Sequence, residues 1–140
     1  MRVSVRKAVF LSGLFWGILT AAFAISIGSA FSAELQHVSA EELKKLIESK
    51  AAILVVDVQP KGAYKIGHIP KAVNFPWAPD IKSPGKLPKN KTLILYCDCS
   101  HEEDSTDTAQ QLMSKFGYTD IKLLEGGWSK WQQSGYPVEK

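Results

Sequence analysis

Two cysteines separated by a single residue are the feature of this sequence best suited to covalent chemistry. Cys97 and Cys99 are the two cysteines of the chain, too few for a disulfide framework and enough for one reactive site. Cys97 directly follows residues 93–96, a short apolar run that is typical of a buried strand. Ligands of parallel α/β sheets bind beyond the carboxyl ends of the strands, where loop amides and a following helix N-terminus favour thiolate. We therefore expect a nucleophilic cysteine in this loop.

The loop after this strand holds further polar side chains suited to catalysis or binding. We expect Cys97 to be the nucleophile because the strand positions its sulfur, with Cys99 as the alternative nucleophile or a resolving thiol. His101 is a candidate proton shuttle. The acids nearest the predicted helix also suit its first turn, where carboxylates accept from free amides. The candidate substrate-binding residues are Asp57, at the end of another strand, and Asp98, Ser100, Glu102, Glu103, Asp104 and Ser105.

The same residues leave two other chemistries open. In an extended strand the Cα atoms of Cys97 and Cys99 would lie ~6.7 Å apart, near the upper limit for a disulfide, and a loop conformation would bring them closer. Thiol–disulfide redox chemistry by this pair therefore stays an alternative, which an oxidising compartment favours. Cys97, Cys99 and His101 also alternate in a way that suits metal capture, but no fourth ligand is evident in the sequence, and we predict no metal site.

The first 33 residues have the pattern of an export signal. Three basic residues precede a run from 8 to 27 that contains no charged residue, and small residues gather from 28 to 33. This pattern predicts a signal peptide cleaved after residue 30 or 32. The apolar run also approaches the ~20 residues that span a bilayer, so an uncleaved membrane anchor in residues 8–27 is the alternative. In either case we expect residues 34–140 to form one exported domain, periplasmic or secreted.

The charge balance changes once this leader is set apart. The whole chain has a formal charge of +3, from 17 basic and 14 acidic residues. Three of the basic residues precede Ala8, so residues 34–140 hold 14 lysines, no arginine and 14 acids. A domain with neither net charge nor arginine is a poor nucleic-acid binder. The missing arginine also argues against the cysteine-dependent phosphatases and arsenate reductases, which need one to hold the oxyanion.

Apolar runs and helical spacing alternate along the predicted domain. Buried strands are predicted from short apolar runs at residues 53–56 and 93–96, and further strands at 121–124 and, briefly, at 73–75. Helices are predicted at about 39–49, at a turn over 60–66, from about Ser105 through the apolar positions of 109–116 to Gly117, and around Trp128 and Trp131. This alternation predicts an α/β fold, a small, mainly parallel β-sheet flanked by helices on both faces.

Four ordered pieces of the domain resemble the rhodanese-like (sulfurtransferase) family. Residues 53–58 resemble the family's first strand and its acidic end, and residues 67–72 resemble its GHIPGA signature. Residues 95–97 resemble the strand that enters the active-site loop, and residues 124–128 with Trp131 resemble the closing motif. The resemblance covers nearly all of the exported domain, and four pieces in order make it specific.

This resemblance implies a small parallel sheet with flanking helices and a sulfur transfer in two steps. A cysteine thiolate takes a sulfane sulfur from a donor, becomes a persulfide, and passes the sulfur to a nucleophilic acceptor. The resemblance implies no metal or organic cofactor. The partners would be a small-molecule or protein persulfide donor and a thiol or other nucleophilic acceptor, with no nucleic acid and with membrane contact only through an uncleaved N-terminal segment. A non-catalytic rhodanese-like binding module is a further alternative.

The loop departs from the form that is common in the family. The common loop has six residues from the cysteine to the serine that starts the helix, which would point to Cys99. The strand points instead to Cys97 and to a loop that is two residues longer. Family members often carry basic or glycine residues in this loop and an arginine at the position of Gln59. Acids beside the cysteine repel a dianion such as thiosulfate, so we predict weak use of thiosulfate and better use of a neutral or persulfide donor.

Overall fold

The computed structural model describes residues 34–99 and 101–140 and contains nine short elements in this range, five strands and four helices. They are β1 (Gln36–Val38), α1 (Ala40–Glu48), β2 (Ile53–Asp57), α2 (Lys61–Ile66), β3 (Val73–Asn74), β4 (Thr92–Tyr96), α3 (Glu103–Phe116), β5 (Ile121–Leu124) and α4 (Gly127–Gln133). The predicted leader, residues 1–33, and the candidate binding residue Ser100 lie outside the described residues.

The strands form one five-stranded sheet in the order β1-β5-β4-β2-β3, and every neighbouring pair is parallel. The predicted α/β fold is therefore confirmed. The strands predicted at 53–56, 93–96 and 121–124 are β2, β4 and β5, and they occupy the centre. Because parallel strands end at the same edge of a sheet, Asp57, Tyr96 and Leu124 mark the edge at which the chemistry-bearing loops meet.

Side chains on the central strand alternate between two apolar clusters, one on each face of the sheet. Ile94 and Tyr96 belong to the cluster that includes Leu43 of α1 and Trp131 of α4. The other cluster contains the intervening residues of β4, followed by Cys97, together with Leu112 of α3. The two-residue period of a strand thus places the Cys97 side chain on the α3 face.

Helix ends follow the predicted signals. The Ser39 side chain accepts a hydrogen bond from the Glu42 amide at 3.1 Å, which caps α1. Gly117 ends α3 in the left-handed conformation, as helix C-termini favour. Glu103 and Asp104 lie in the first turn of α3, as we expected, and the helix begins at Glu103. Its first two turns are polar, although Ser105 and Thr108 are buried.

Strand β1 was not predicted. It has three residues, of which only Val38 is buried, and it pairs with β5 at the edge of the sheet. No helix within the described residues is long and apolar enough to cross a membrane.

Candidate functional site

Cys97 lies immediately beyond the carboxyl end of β4, where its sulfur faces the start of α3. The residue is 1% exposed. Ser105 is the third residue of α3, and its hydroxyl oxygen lies 3.7 Å from Cys97 Sγ. The same hydroxyl donates to the backbone carbonyl of Glu102 at 3.0 Å. The sulfur is therefore positioned beside a hydroxyl at a helix N-terminus, which favours negative charge.

The turn that precedes α4 holds the backbone of this cysteine from the other side. The Trp128 amide donates to the Cys97 carbonyl at 2.9 Å. Gly126 and Gly127 both adopt positive φ angles, of +69° and +53°. A Cβ atom at Gly127 would collide with the Cys97 carbonyl oxygen, so this approach requires glycine.

Cys97 and Cys99 form a disulfide in this structure. Their Cα atoms are 5.5 Å apart, closer than in an extended strand, because the chain has entered the loop. Between them, the exposed Asp98 accepts a hydrogen bond from the Ser129 hydroxyl of α4 at 2.7 Å. The geometry that the sequence left open for this pair is thus adopted.

Glu102 ties the loop to two distant segments. Its Oε1 accepts from the Gly126 amide at 2.7 Å, and its Oε2 lies 3.1 Å from Nε2 of His37 on β1. Its backbone is left-handed, with φ of 59°, and its carbonyl accepts from the Thr106 amide at 2.8 Å. We predicted Glu102 to bind substrate, but the structure directs its carboxylate to these protein groups. The sequence carries no signal for them, because His37 and Gly126 are far from Glu102 along the chain.

The remaining loop residues divide between the helix start and the surface. The Glu103 carboxylate accepts from the His101 amide at 3.2 Å, and backbone hydrogen bonds, above all from its own amide, lower its pKa. Glu103 therefore binds amides at the start of α3, in its first turn, and half-buried Asp104 lies in the same turn. The His101 ring is largely exposed, with Nδ1 3.4 Å from the Glu103 carboxylate.

Asp57 lies at the carboxyl end of β2, next to the end of β4, and is fully buried. Its carboxylate accepts from the Gln59 amide at 2.8 Å and from the Tyr96 hydroxyl at 2.7 Å. Burial raises the pKa of Asp57, and the hydrogen bonds from Tyr96 and Gln59 oppose this rise. The Tyr96 hydroxyl in turn accepts from the Ile69 amide at 3.1 Å. We predicted Asp57 as a substrate-binding residue, and the structure places it in a network that joins three strand and loop ends.

A cavity of about 340 Å³ opens beside the cysteine loop. Sequence reasoning missed it, because its walls come from α2, the cysteine loop, α4 and the chain end. Its lining combines apolar side chains with one acid and one lysine: Gln59, Ala63, Ile66, Gly67, Asp98, Trp128, Gln132, Val138 and Lys140. Among the described residues, no group of three or more His, Cys, Asp or Glu side chains is placed to hold a metal ion.

Residues 39–134 match the family model of the rhodanese-like domain. The chain belongs to the rhodanese-like family. The matched range contains all four motifs on which the resemblance rested.

Other rhodanese-like proteins match the chain in sequence and structure. The adenylyltransferase and sulfurtransferase UBA4 of Debaryomyces hansenii is 27% identical over 107 residues, which are 69% of this chain and 23% of that protein. The thiosulfate sulfurtransferase GlpE of Shewanella oneidensis is 25% identical over 99 residues, which are 71% of this chain and 94% of GlpE. A crystal structure of the BH2092 protein from Bacillus halodurans shares the fold with a TM-score of 0.67 and 29% identity, covering 74% of this chain and 76% of that chain. This rhodanese-like chain therefore spans nearly all of GlpE but under a quarter of UBA4.

Proposed function

We propose that this rhodanese-like protein is a sulfurtransferase in which the Cys97 thiolate carries a sulfane sulfur as a persulfide. Membership of the family and similarity to two proteins named as sulfurtransferases support sulfur transfer in general. One observation favours Cys97 as the carrier: its sulfur lies 3.7 Å from the Ser105 hydroxyl at the N-terminus of α3. Cys99 lacks the strand that fixes Cys97 and is more exposed.

The transfer proceeds in two displacements. The reduced Cys97 thiolate attacks the sulfane sulfur of the donor, the donor's bond to that sulfur breaks, and its electron pair leaves with the donor remnant. The acceptor nucleophile then attacks the outer sulfur of the persulfide, and the Cys97 thiolate is released again. The Ser105 hydroxyl and the α3 N-terminus stabilise the negative charge that Cys97 carries before and after these steps.

The cavity beside Asp98 suits a donor that is not strongly anionic. Its apolar wall includes Ile66, which is 76% exposed, and Val138, which is 46% exposed. Asp98 contributes a negative charge on the side of the cysteines. An organic persulfide, either small or on another protein, carries less charge than dianionic thiosulfate and fits this lining better.

The proposal is tested by sulfur transfer to cyanide from a persulfide donor, using protein kept reduced throughout. We expect Cys97→Ser to abolish thiocyanate formation and Cys99→Ser, the matched change two residues away, to retain it. Loss of activity in Cys99→Ser with retention in Cys97→Ser would contradict the assignment of Cys97. Circular dichroism of both variants checks that the fold is kept.

The disulfide supports a second candidate, a thiol–disulfide redox protein that uses the Cys97–Cys99 pair. Such a protein would exchange disulfides with a dithiol and would form no persulfide with any sulfane donor. A protein that shows neither reaction would instead be a non-catalytic rhodanese-like binding module.

We also propose that residues 34–140 work outside the cytoplasm, after export directed by the leader. The basic start, the apolar run from 8 to 27 and the small residues that follow support this proposal. N-terminal sequencing of the protein recovered from fractionated cells tests it. A mature N-terminus near residue 31 or 33 indicates cleavage, an intact leader in the membrane fraction indicates an anchor, and recovery from the cytoplasm contradicts export.

A further inference from the structure

Cys97 and Cys99 differ in their access to solvent although they are bonded to each other. Cys97 is buried against the α3 face, whereas Cys99 is half-buried at the margin of the same apolar cluster. When Cys97 carries a sulfur atom in the reduced protein, the Cys99 thiol of the same chain lies close to it.

The backbone around the pair is held by groups other than the two sulfur atoms. The Cys97 carbonyl accepts from the Trp128 amide, and the Cys99 carbonyl lies 3.4 Å from the Glu102 amide that donates to it. Asp98, between them, is bonded to Ser129. None of these bonds involves a sulfur atom, and the Cα separation of 5.5 Å is within the usual range for a disulfide, so the loop can hold the two cysteines close without the disulfide.

We propose that Cys99 is a resolving thiol, which discharges the Cys97 persulfide as hydrosulfide; this inference rests on the proposed sulfur transfer. The Cys99 thiolate attacks the inner sulfur of the persulfide, Cys97 Sγ. The Cys97–Cys99 bond forms while the bond from Cys97 Sγ to the outer sulfur breaks, and the electron pair leaves on the outer sulfur as hydrosulfide. The Cys99 proton goes to solvent, and the persulfide proton stays on the departing sulfur. The sulfane sulfur is reduced as the two cysteine sulfurs are oxidised, so the step needs no external oxidant.

The cycle closes when a dithiol reduces the Cys97–Cys99 disulfide by exchange. The more exposed sulfur, that of Cys99, is the one that an incoming dithiol reaches first. The net reaction converts a sulfane sulfur and a dithiol into hydrosulfide and a disulfide. A nucleophilic acceptor competes with Cys99 for the same persulfide, so the acceptor concentration sets which outcome prevails, and the dithiol regenerates the reduced pair.

A single-turnover experiment on the full chain tests this role. The protein is reduced, freed of reductant under anaerobic conditions and mixed with benzenethiosulfonate, whose leaving group is a sulfinate and not a thiol. Because no other thiol is present, Cys99 is the only source of reducing power for hydrosulfide release. We expect wild type to release about one hydrosulfide per chain and to become a disulfide lighter by about 2 Da than the reduced protein. Cys99→Ser should release none and retain a sulfur, a gain of about 32 Da, on Cys97.

The other possible results show whether the resolving role of Cys99 fails alone or together with the proposed sulfur transfer. A wild-type protein that keeps the added sulfur as stably as Cys99→Ser overturns the resolving role and leaves sulfur transfer intact. Retention of sulfur on Cys99 in Cys97→Ser, with none taken up by Cys99→Ser, reverses the two roles and overturns the inference. Uptake of sulfur by none of the three proteins, with folding verified by circular dichroism and with Cys99→Ala as a second variant, overturns both proposals.

Discussion

Ser105 illustrates how much of the proposed chemistry depends on a single hydroxyl. Its oxygen contacts Cys97 Sγ at 3.7 Å and donates to the Glu102 carbonyl, so it joins the sulfur to the loop that starts α3. In the reduced protein the same hydroxyl can turn its proton toward the thiolate. A hydrogen bond of this kind contributes about 1 kcal/mol to the charged form.

Removing this hydroxyl should slow every reaction of Cys97. In a Cys99→Ser background, we predict that Ser105→Ala lowers the rate of Cys97 alkylation by iodoacetamide at neutral pH roughly fivefold. Ser114→Ala is the matched control, because Ser114 is also on α3 and its hydroxyl donates to a carbonyl one turn earlier, at 2.7 Å. Equal alkylation rates for the two variants would show that Ser105 does not stabilise the thiolate.

The raised pKa of Asp57 leads to a prediction of how the stability of the protein changes with pH. Because burial raises the pKa of Asp57 above its ordinary value of 3.8, the native state binds this proton more tightly than the unfolded chain does. The resulting stability is fully present below pH 3.8 and is lost as the pH rises through the native pKa. We therefore predict that the free energy of unfolding of wild type, relative to Asp57→Asn, decreases across this range in urea titrations.

Asp80, on the surface, is the control, because its pKa is shifted in the opposite direction. Hydrogen bonds from Lys115 and Lys82 lower the pKa of Asp80 to about 2. Its contribution is present above the ordinary value of 3.8 and is lost as the pH falls through about 2, so wild type relative to Asp80→Asn gains stability with rising pH. The same pH trend for both aspartates would contradict the burial argument for Asp57.

At the scale of elements, the turn before α4 determines how closely that helix approaches the cysteine loop. Gly127 and Gly117 both have left-handed backbones, with φ of +53° and +69°. A side chain at Gly127 would meet the Cys97 carbonyl, whereas nothing lies within 4 Å of a Cβ at Gly117.

These two glycines form a matched pair for mutation. We predict that Gly117→Ala lowers the free energy of unfolding by about 1–2 kcal/mol, the cost of a left-handed alanine. Gly127→Ala should cost more than this and should also slow Cys97 alkylation, because the loop must move to relieve the collision. Chemical denaturation and alkylation rates measure the two effects. Equal losses of stability for the two variants, with normal alkylation for both, would contradict the proposed contact.

The elements that could be predicted are those whose own residues specify them. Residues 53–56 and 93–96 are continuous apolar runs, residues 121–124 are apolar except for Lys122, and these segments became the three central strands of the sheet. Strand β1 has one buried residue in three and is formed by its pairing with β5, so its own residues show no strand pattern. The polar start of α3 could be predicted only from the acids that suit a helix N-terminus, since its buried residues Ser105 and Thr108 are not apolar.

Only the part of the site that directly follows a predicted strand could be located from the sequence. Residues 93–96 were enough to place Cys97, and the Cys97–Cys99 spacing was enough to raise a disulfide as an alternative. The carboxylate of Glu102, by contrast, contacts His37 and Gly126, and these contacts depend on how β1 and the turn before α4 meet the loop. The cavity also collects residues from separate segments, so composition alone could not reveal it.

At the scale of the whole molecule, the balance of charge bears on the choice of donor. The +3 charge of the chain comes from its first seven residues, and residues 34–140 have as many lysines as acids and no arginine. Asp98 adds a negative charge to the cavity beside the cysteines. A dianionic donor must approach against this charge, and the opposing field is screened by salt.

We predict that thiosulfate transfers sulfur more slowly than an organic persulfide, which carries less charge, and that added salt raises the thiosulfate rate more than the persulfide rate. Asp98→Asn should increase the thiosulfate rate roughly threefold at low salt, because it removes one repelling charge and keeps the oxygen that accepts from Ser129. Glu41→Gln, which removes a charge from α1, is the control. Fast thiosulfate turnover by wild type that salt does not change would contradict this view of the site.

The identity of the sulfur-bearing residue tests the central claim most directly. Reduced Cys99→Ser is treated with a sulfane donor, alkylated and digested, and the peptide containing residue 97 is mapped by mass. We predict one additional sulfur, about 32 Da, on Cys97, and none in Cys97→Ser treated in the same way. A Cys97 peptide that gains no sulfur from any donor, in a protein that remains folded, would contradict sulfur transfer through this cysteine.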